Sequence, residues 1–280
     1  MTRTVVAVAL AAALVIRIGA QQARMVQVGY CTSLKNLAAA KAAGFDYVEL
    51  GTTEIAALSD AEFEAAASEV AHVGLATPAA NLFLPPALKV TGPDVDSVQQ
   101  TAYMDKAFPR LARLGVRIVV FGSGGARRVP DGFSREAASL QLVEFGRRAA
   151  ARARQHGITI AVEPLRREET NIVNSAAEGL ALVEAVGDPG FELMIDFYHL
   201  ASEHEDPGII VGARRHLRHL HMANPNGRVF PLSVEEFTYE PFFARLREIG
   251  YDQRISVEAS TRDLTADAPR AIALLRGLFR

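Results

Sequence analysis

The feature that most constrains the fold is a repeated alternation of short apolar runs with longer amphipathic ones. Most of the short runs are rich in β-branched residues, as expected for strands that are buried on both faces. Six of the amphipathic stretches stop at a glycine shortly before the next short run, which is typical of βα units. The predicted strands are 26–30, 47–50, 75–80, 117–121, 159–162, 193–196, 217–221 and 255–258.

Eight strands alternating with helices favour a single (β/α)8 TIM barrel. The chain of 280 residues has no shift in composition that would mark a linker, and its length suits one barrel domain. A doubly wound α/β sheet remains the alternative, because the pattern predicts the number of strands but does not show whether the sheet closes into a barrel. The predicted helices are 34–43, 59–73, 97–114, 134–156, 176–186, 241–249 and about 269–279.

Composition excludes several functional classes. The formal net charge of −2 provides no basic face, so we expect no nucleic-acid partner. With Cys31 as the only cysteine, the chain has no internal disulfide framework, and we expect no thiolate ligand at any metal site.

The first 24 residues lie outside the predicted barrel domain, which we place at residues 25–280. A basic start, an apolar run from Val5 to Ile16 and a small residue at Ala20 are typical of an export signal covering residues 1–20. The run is shorter than the roughly 20 residues that a membrane-spanning helix needs. The alternative is an upstream start codon, with Met25 as the true first residue and a cytoplasmic protein.

Four successive predicted strands end in residues that a packed core does not tolerate. They are Glu163, Asp196, His221 and Glu258, on the fifth to eighth strands. A buried carboxylate is unfavourable unless it is paired, protonated or bound to a metal, and any one of them alone could be a helix cap or an ion-pair partner. As a set, three carboxylates and one imidazole at the active-site end of a barrel suit Mn²⁺, Mg²⁺ or Co²⁺.

Two further features of the strand ends are ambiguous. His219 lies on the same strand face as His221, so one of the two histidines can be a hydrogen-bonded filler of the barrel. The segment Gly122–Gly125, followed by Arg127 and Arg128, is compatible with a tight turn or with a cradle for a phosphate or a hydroxyl-rich substrate.

Four stretches in the last two-thirds of the chain form a recognisable set. They are Val162-Glu163-Pro164-Leu165 with Arg167 and Glu169-Thr170, then Asp196-Phe197-Tyr198-His199, His219-Leu220-His221 and Ser256-Val257-Glu258. This set resembles the sugar phosphate isomerase/epimerase group, the xylose isomerase-like TIM barrels, and within it the ketose 3-epimerases.

The resemblance implies a divalent-metal enzyme acting on a keto sugar. Glu163, Asp196, His221 and Glu258 would hold one cation that polarises the substrate ketone. Glu163 and Glu258 would also be catalytic, removing and returning a proton through a cis-enediolate. Contacts near the carbonyl end of the substrate would come from Glu169, His199 and Arg228.

The sequence departs from the group's pattern at two places, both on the rim of the predicted active site, where we expect the substrate to be recognised. Arg166 stands where ketose 3-epimerases have Asn. After Arg228 the chain continues with Val229 to Ser233, without the group's usual Gly-x-Gly loop. Both departures leave the proposed metal ligands intact and leave the identity of the sugar open.

Three other functions remain as alternatives at this point. The same enediolate can expel a leaving group, giving a dehydratase or lyase acting on a keto sugar or a keto-inositol. An apurinic endonuclease shares the barrel but needs more histidines at the strand ends, whereas His72 and His156 fall on predicted helices. A sugar-binding barrel with a structural metal is the non-catalytic alternative. The resemblance also implies a homodimer or homotetramer.

Overall fold

A computed structural model of the protein describes residues 26–280. The predicted export signal or upstream start therefore lies outside the described residues. Within residues 26–280, no helix is both long enough and apolar enough to cross a membrane.

The eight strands form a closed parallel barrel in chain order, which confirms the predicted (β/α)8 fold and excludes the doubly wound sheet. Each strand pairs in parallel with the next, and the first also pairs with the last. The strands are β1 (Gln27–Thr32), β2 (Tyr47–Gly51), β3 (Ala76–Asn81), β4 (Ile118–Phe121), β5 (Thr159–Val162), β6 (Phe191–Asp196), β7 (Leu217–Met222) and β8 (Arg254–Val257).

Helices surround the barrel and follow its strands. A short 3-10 turn at Leu34–Asn36 precedes the first of them. They are α1 (Leu37–Ala42), α2 (Thr52–Ala57), α3 (Asp60–Val73), α4 (Ser97–Arg113), α5 (Gly124–Arg127), α6 (Arg135–Gln155), α7 (Ala176–Val186), α8 (Phe197–Ser202), α9 (Ile209–Ala213), α10 (Glu240–Glu248) and α11 (Leu264–Leu278).

The differences from the predicted helices have local causes. Helices α2, α5, α8 and α9 were not predicted, because four to six residues are too few to display a helical period. Helix α11 begins earlier than predicted, since the Asp263 side chain accepts a hydrogen bond from the Ala266 backbone N–H and caps it. Pro269 therefore lies inside α11 rather than at its start.

Pro78 is accommodated in β3 by an irregularity in the sheet. Tyr47 pairs with Ala76 and Glu49 with Ala79, so β3 carries one residue more than β2 between these pairs. Such a bulge is where a strand tolerates a residue without a backbone N–H.

The interior of the barrel is divided into two chemically different parts. A small apolar cluster, separate from the core between the helices and the barrel, consists of Ala79, Ile118, Val120, Ala161 and Met194 on β3 to β6. On β2, β7 and β8 the interior is polar instead. The buried polar residues there are Tyr47, Glu49, His219, His221 and Ser256.

Gly29 allows this polar part to pack. A Cβ added to Gly29 would lie 2.2 Å from the ring of Tyr47, so the ring occupies the space that a side chain on β1 would need. The Tyr47 hydroxyl then reaches the Ser256 hydroxyl at 2.8 Å on β8.

We predict that Gly29→Ala lowers the free energy of unfolding by about 1–3 kcal/mol, because it overpacks the barrel interior. Chemical denaturation measures the change. Gly277→Ala is the matched control: nothing lies within 4 Å of its added Cβ, and it lies in α11, so it should cause no loss. Equal stability of the two variants would contradict the packing argument.

Candidate active site

The four predicted metal ligands converge at the carboxyl end of the barrel. Glu163 directly follows β5, Asp196 ends β6, His221 is the fifth residue of β7 and Glu258 directly follows β8. One ligand atom from each residue can be chosen so that all four lie within 4.8 Å of one another. The barrel thus brings together side chains that are up to 95 positions apart in the sequence.

Several polar atoms of this cluster are buried without a hydrogen-bond partner in the described structure. They are Oε1 of Glu163, Oδ2 of Asp196 and Nδ1 of His221. The His221 Nδ1 atom lies 3.4 Å from Glu163 Oε1 and 3.5 Å from Glu258 Oε2. Because unpaired buried polar atoms are unfavourable, their convergence fits a shared cation, and the oxygen-rich donor set suits Mn²⁺, Mg²⁺ or Co²⁺.

Asp196 serves two purposes with its two oxygens. Its Oδ1 accepts a hydrogen bond of 2.8 Å from the Tyr198 backbone N–H and caps helix α8. Its Oδ2 faces the cluster, 3.6 Å from Nε2 of His199. The helix-cap and metal-ligand interpretations of this carboxylate are therefore compatible.

The three carboxylates of the cluster differ in the direction in which their pKa values are shifted. Burial and the neighbouring carboxylates of Glu163 and Glu258 raise the pKa of Asp196 to about 7. Burial also raises the pKa of Glu163. Burial acts in the same direction on Glu258, but His221 and Arg228 outweigh it and lower the pKa of Glu258 to about 2. Without a cation, the buried negative charge is thus only partly compensated.

The three predicted substrate contacts lie around the cluster. Arg228 donates hydrogen bonds to Glu258 at 2.5 Å and to Glu169 at 3.2 Å. Its guanidinium carbon lies 4.7 Å from the centre of the Tyr198 ring. His199 is buried, and its burial together with Arg228 lowers its pKa to about 3, so its imidazole is neutral at physiological pH.

An open cleft of about 950 Å³ lies above these residues. Its charged lining consists of the carboxylates of Glu54, Glu163, Glu169 and Glu258 and the guanidinium of Arg228. Leu82, Leu84 and Leu165 contribute apolar lining. Arg166, the residue that departs from the ketose 3-epimerase pattern, donates from Nε to Glu169 at 3.0 Å on the rim.

The glycine-rich segment after β4 lines the cleft with Gly122 to Gly125, whereas Arg127, which follows it, supports Glu163 from the interior. Arg127 is fully buried and donates to the backbone carbonyls of Phe121 at 3.0 Å and Glu163 at 2.6 Å. A Cβ on Gly122 would lie 2.3 Å from Glu163 Oε2, so glycine leaves room for the carboxylate.

Sequence reasoning missed two polar residues at the site. Asn81, at the end of β3, donates to Glu258 Oε1 at 2.9 Å. Glu49 is fully buried within β2 and accepts a hydrogen bond from His221. Both had a signal in the sequence, because each is a polar residue in or at the end of a strand that is otherwise apolar or small.

The single thiol lies near the site, although it is not one of the four cluster residues and burial raises its pKa, which disfavours the thiolate. Cys31 lines the cleft, and its Sγ lies 3.8 Å from Nε2 of His221. Composition alone counts cysteines without locating them, and here β1 places the single thiol beside a candidate ligand.

Comparison with known proteins identifies the family. The model of the xylose isomerase-like TIM barrel family matches residues 37–278. The chain belongs to this family. The sequence resemblance is therefore confirmed, and the match covers every candidate site residue named from the sequence.

Similar members of the family are epimerases. A ketose 3-epimerase of Arthrobacter globiformis is 28% identical over 85% of this chain and 81% of that protein. An L-ribulose 3-epimerase of Mesorhizobium japonicum is 26% identical over 88% of this chain and 82% of that protein. The chain is an enzyme of the isomerase and epimerase class, and these comparisons give no support to the lyase alternative.

Solved structures share the fold. A D-psicose 3-epimerase, crystallised in the presence of D-fructose, superposes with a TM-score of 0.79 at 19% identity, covering 91% of this chain and 99% of that chain. A D-allulose 3-epimerase from Methylomonas sp. superposes with a TM-score of 0.80 at 24% identity, covering 91% and 98%. At these identities the superpositions establish the barrel.

We predict that a divalent cation stabilises the protein through this cluster. Mn²⁺ at about 100 times its dissociation constant should add about 2.7 kcal/mol to the free energy of unfolding, seen as a rise in melting temperature. Asp196→Asn should abolish the rise, because it removes a ligand charge while an asparagine still caps helix α8. Glu168→Gln, on the exposed rim, is the control and should keep the rise.

An equal Mn²⁺-dependent rise in the Asp196→Asn variant and the parent would contradict the assignment of Asp196 as a ligand.

Proposed function

We propose that this protein is a divalent-metal-dependent 3-epimerase of a free, unphosphorylated ketose. The observation that carries the proposal is the convergence of Glu163, Asp196, His221 and Glu258 on one point below an open cleft. The similarity to proteins named ketose 3-epimerase and L-ribulose 3-epimerase supports the choice of reaction.

The two catalytic carboxylates have environments suited to opposite roles. Glu258, whose pKa is low, is ionised and is the base that takes the proton from the carbon next to the ketone. In the absence of a cation, burial raises the pKa of Glu163, so of the two carboxylates it is the better suited to carry the proton that is returned. Environments that separate the pKa values of two carboxyl groups are a recurring way to assign acid and base.

Neighbouring side chains hold the base in position. Asn81 and Arg228 donate to different oxygens of Glu258, which fixes the plane of its carboxylate. A divalent cation in the cluster would polarise the ketone and lower the pKa of the adjacent C–H. Delivery of the proton to the opposite face of the resulting enediolate inverts the carbon.

The remaining predicted contacts suit a polyhydroxylated chain. The neutral imidazole of His199 can donate or accept a hydrogen bond, and Arg228 donates only. Glu169 keeps the Arg228 guanidinium at the mouth of the cleft. Together they would bind the hydroxyl groups near the carbonyl end of the sugar.

The charge of the cleft supports an unphosphorylated substrate. Among its described lining residues, four carboxylates face one guanidinium, and Arg228 is already paired with Glu169 and Glu258. One divalent cation would balance only part of this negative charge. A phosphate group would therefore meet repulsion and no free cationic side chain in the lining.

We predict that Glu258→Gln lowers the rate of epimerisation by about 10²–10⁴, since proton transfer by a placed side chain contributes that factor. The assay follows exchange of substrate C–H protons in D₂O and formation of the epimer. It is run at saturating Mn²⁺, with metal occupancy measured separately. Glu168→Gln is the control.

A Glu258→Gln enzyme that holds metal and turns over at the parent rate would refute the role of Glu258. Loss of water from the substrate, in place of an epimer of unchanged mass, would refute the epimerase assignment in favour of the lyase.

We also predict a preference for the free ketose. Its kcat/KM should exceed that of the corresponding ketose phosphate by at least about tenfold, which corresponds to about 1.4 kcal/mol of repulsion. Side-by-side kinetics on the two forms of one sugar test this, and equal or reversed values would show that the cleft accepts a phosphate.

A further inference from the structure

We propose that Glu49 is a positioning residue that holds His221 in the tautomer required for metal binding. The proposal rests on the proposed function, because it concerns the same metal site. Glu49 itself is not among the four residues of that cluster.

Glu49 contacts one of the two ring nitrogens of His221, and on this proposal that nitrogen carries the proton. Oε1 of Glu49 lies 3.0 Å from Nε2 of His221. Oε2 lies 2.7 Å from Nε2 of His219 and 2.6 Å from Oγ of Ser256. Three donors thus surround one carboxylate, which accepts all three hydrogen bonds when it is ionised.

A proton on Nε2 of His221 leaves the lone pair of Nδ1 directed at the cluster. Nδ1 lies within 3.5 Å of carboxylate oxygens of both Glu163 and Glu258. Without Glu49, these carboxylates would favour a proton on Nδ1, where it competes with a cation. The negative charge of Glu49 also makes the imidazole a better ligand.

A purely structural role explains Glu49 less well. On β3 to β6 the barrel interior is filled by apolar side chains, and apolar replacements of buried ionic groups are often neutral or stabilising. His219 fits the positioning role as well, because it and Ser256 fix the second oxygen of Glu49. The Nδ1 of His219 has no partner among the described residues.

The chain offers a matched control at a second buried carboxylate. Glu192 on β6 lies 2.9 Å from Nδ1 of His216 and 3.0 Å from Nη2 of Arg218. It is buried like Glu49 and pairs with a histidine, but none of these three residues belongs to the metal cluster. Glu192→Gln therefore reports what loss of a buried carboxylate paired with a histidine does away from the metal cluster.

The test is the affinity of the metal-free protein for Mn²⁺, measured by titration calorimetry. Glu49→Gln should weaken binding by about 10- to 100-fold, as the loss of such a partner of a ligating histidine does. Glu192→Gln should stay within about twofold of the parent. Affinity of Glu49→Gln equal to that of Glu192→Gln would overturn the proposal.

A second measurement needs no variant and covers the case in which Glu49→Gln does not fold. In the ¹⁵N-labelled parent with Mg²⁺, NMR should find His221 protonated at Nε2 and not at Nδ1. A proton on Nδ1 would overturn the proposal. A parent that binds no divalent cation would overturn the proposed function and this inference together, whereas parent binding with unchanged affinity in Glu49→Gln overturns this inference alone.

Discussion

Buried negative charge at one end of the barrel is the constraint on which the site depends. Three carboxylates and one imidazole share a space only a few ångströms across, and water does not reach most of them. Burial at this density raises the free energy of the ionised state, as the elevated pKa of Asp196 reflects. Several neighbouring groups stabilise this charge or leave room for the carboxylates that carry it.

The groups that stabilise or accommodate the buried charge come from different strands and loops. Arg228 and Asn81 donate hydrogen bonds to Glu258 and so stabilise its negative charge. Gly122 supplies the room in which the Glu163 carboxylate lies. A cation in the cluster would complete the compensation, which is why affinity for a divalent metal and the stability of the fold should be coupled.

The interior of the barrel is polar on the side that adjoins the charged cluster. Its β3 to β6 part is a small apolar filling, whereas the β2, β7 and β8 part is a hydrogen-bonded network of Glu49, His219, Ser256 and Tyr47. This network contacts His221 through Glu49 and so helps to orient a candidate metal ligand. Preorganisation of this kind keeps a site ready for charge that develops during the reaction.

From the amino-acid sequence alone, the order of the eight strands, seven of the helices, the preference for a closed barrel and the four cluster residues could be predicted. Those features depend on local periodicity and on polar residues at strand ends, both of which are visible along the chain. Glu49, Asn81 and Cys31 became functional candidates only in the tertiary structure, because their significance lies in distances to His221 and Glu258. The structure also showed that Arg127 lies inside and donates to backbone carbonyls, which the sequence had left open. A sequence pattern shows which residues lie on a strand. Which residues of different strands come into contact is determined only when the barrel closes.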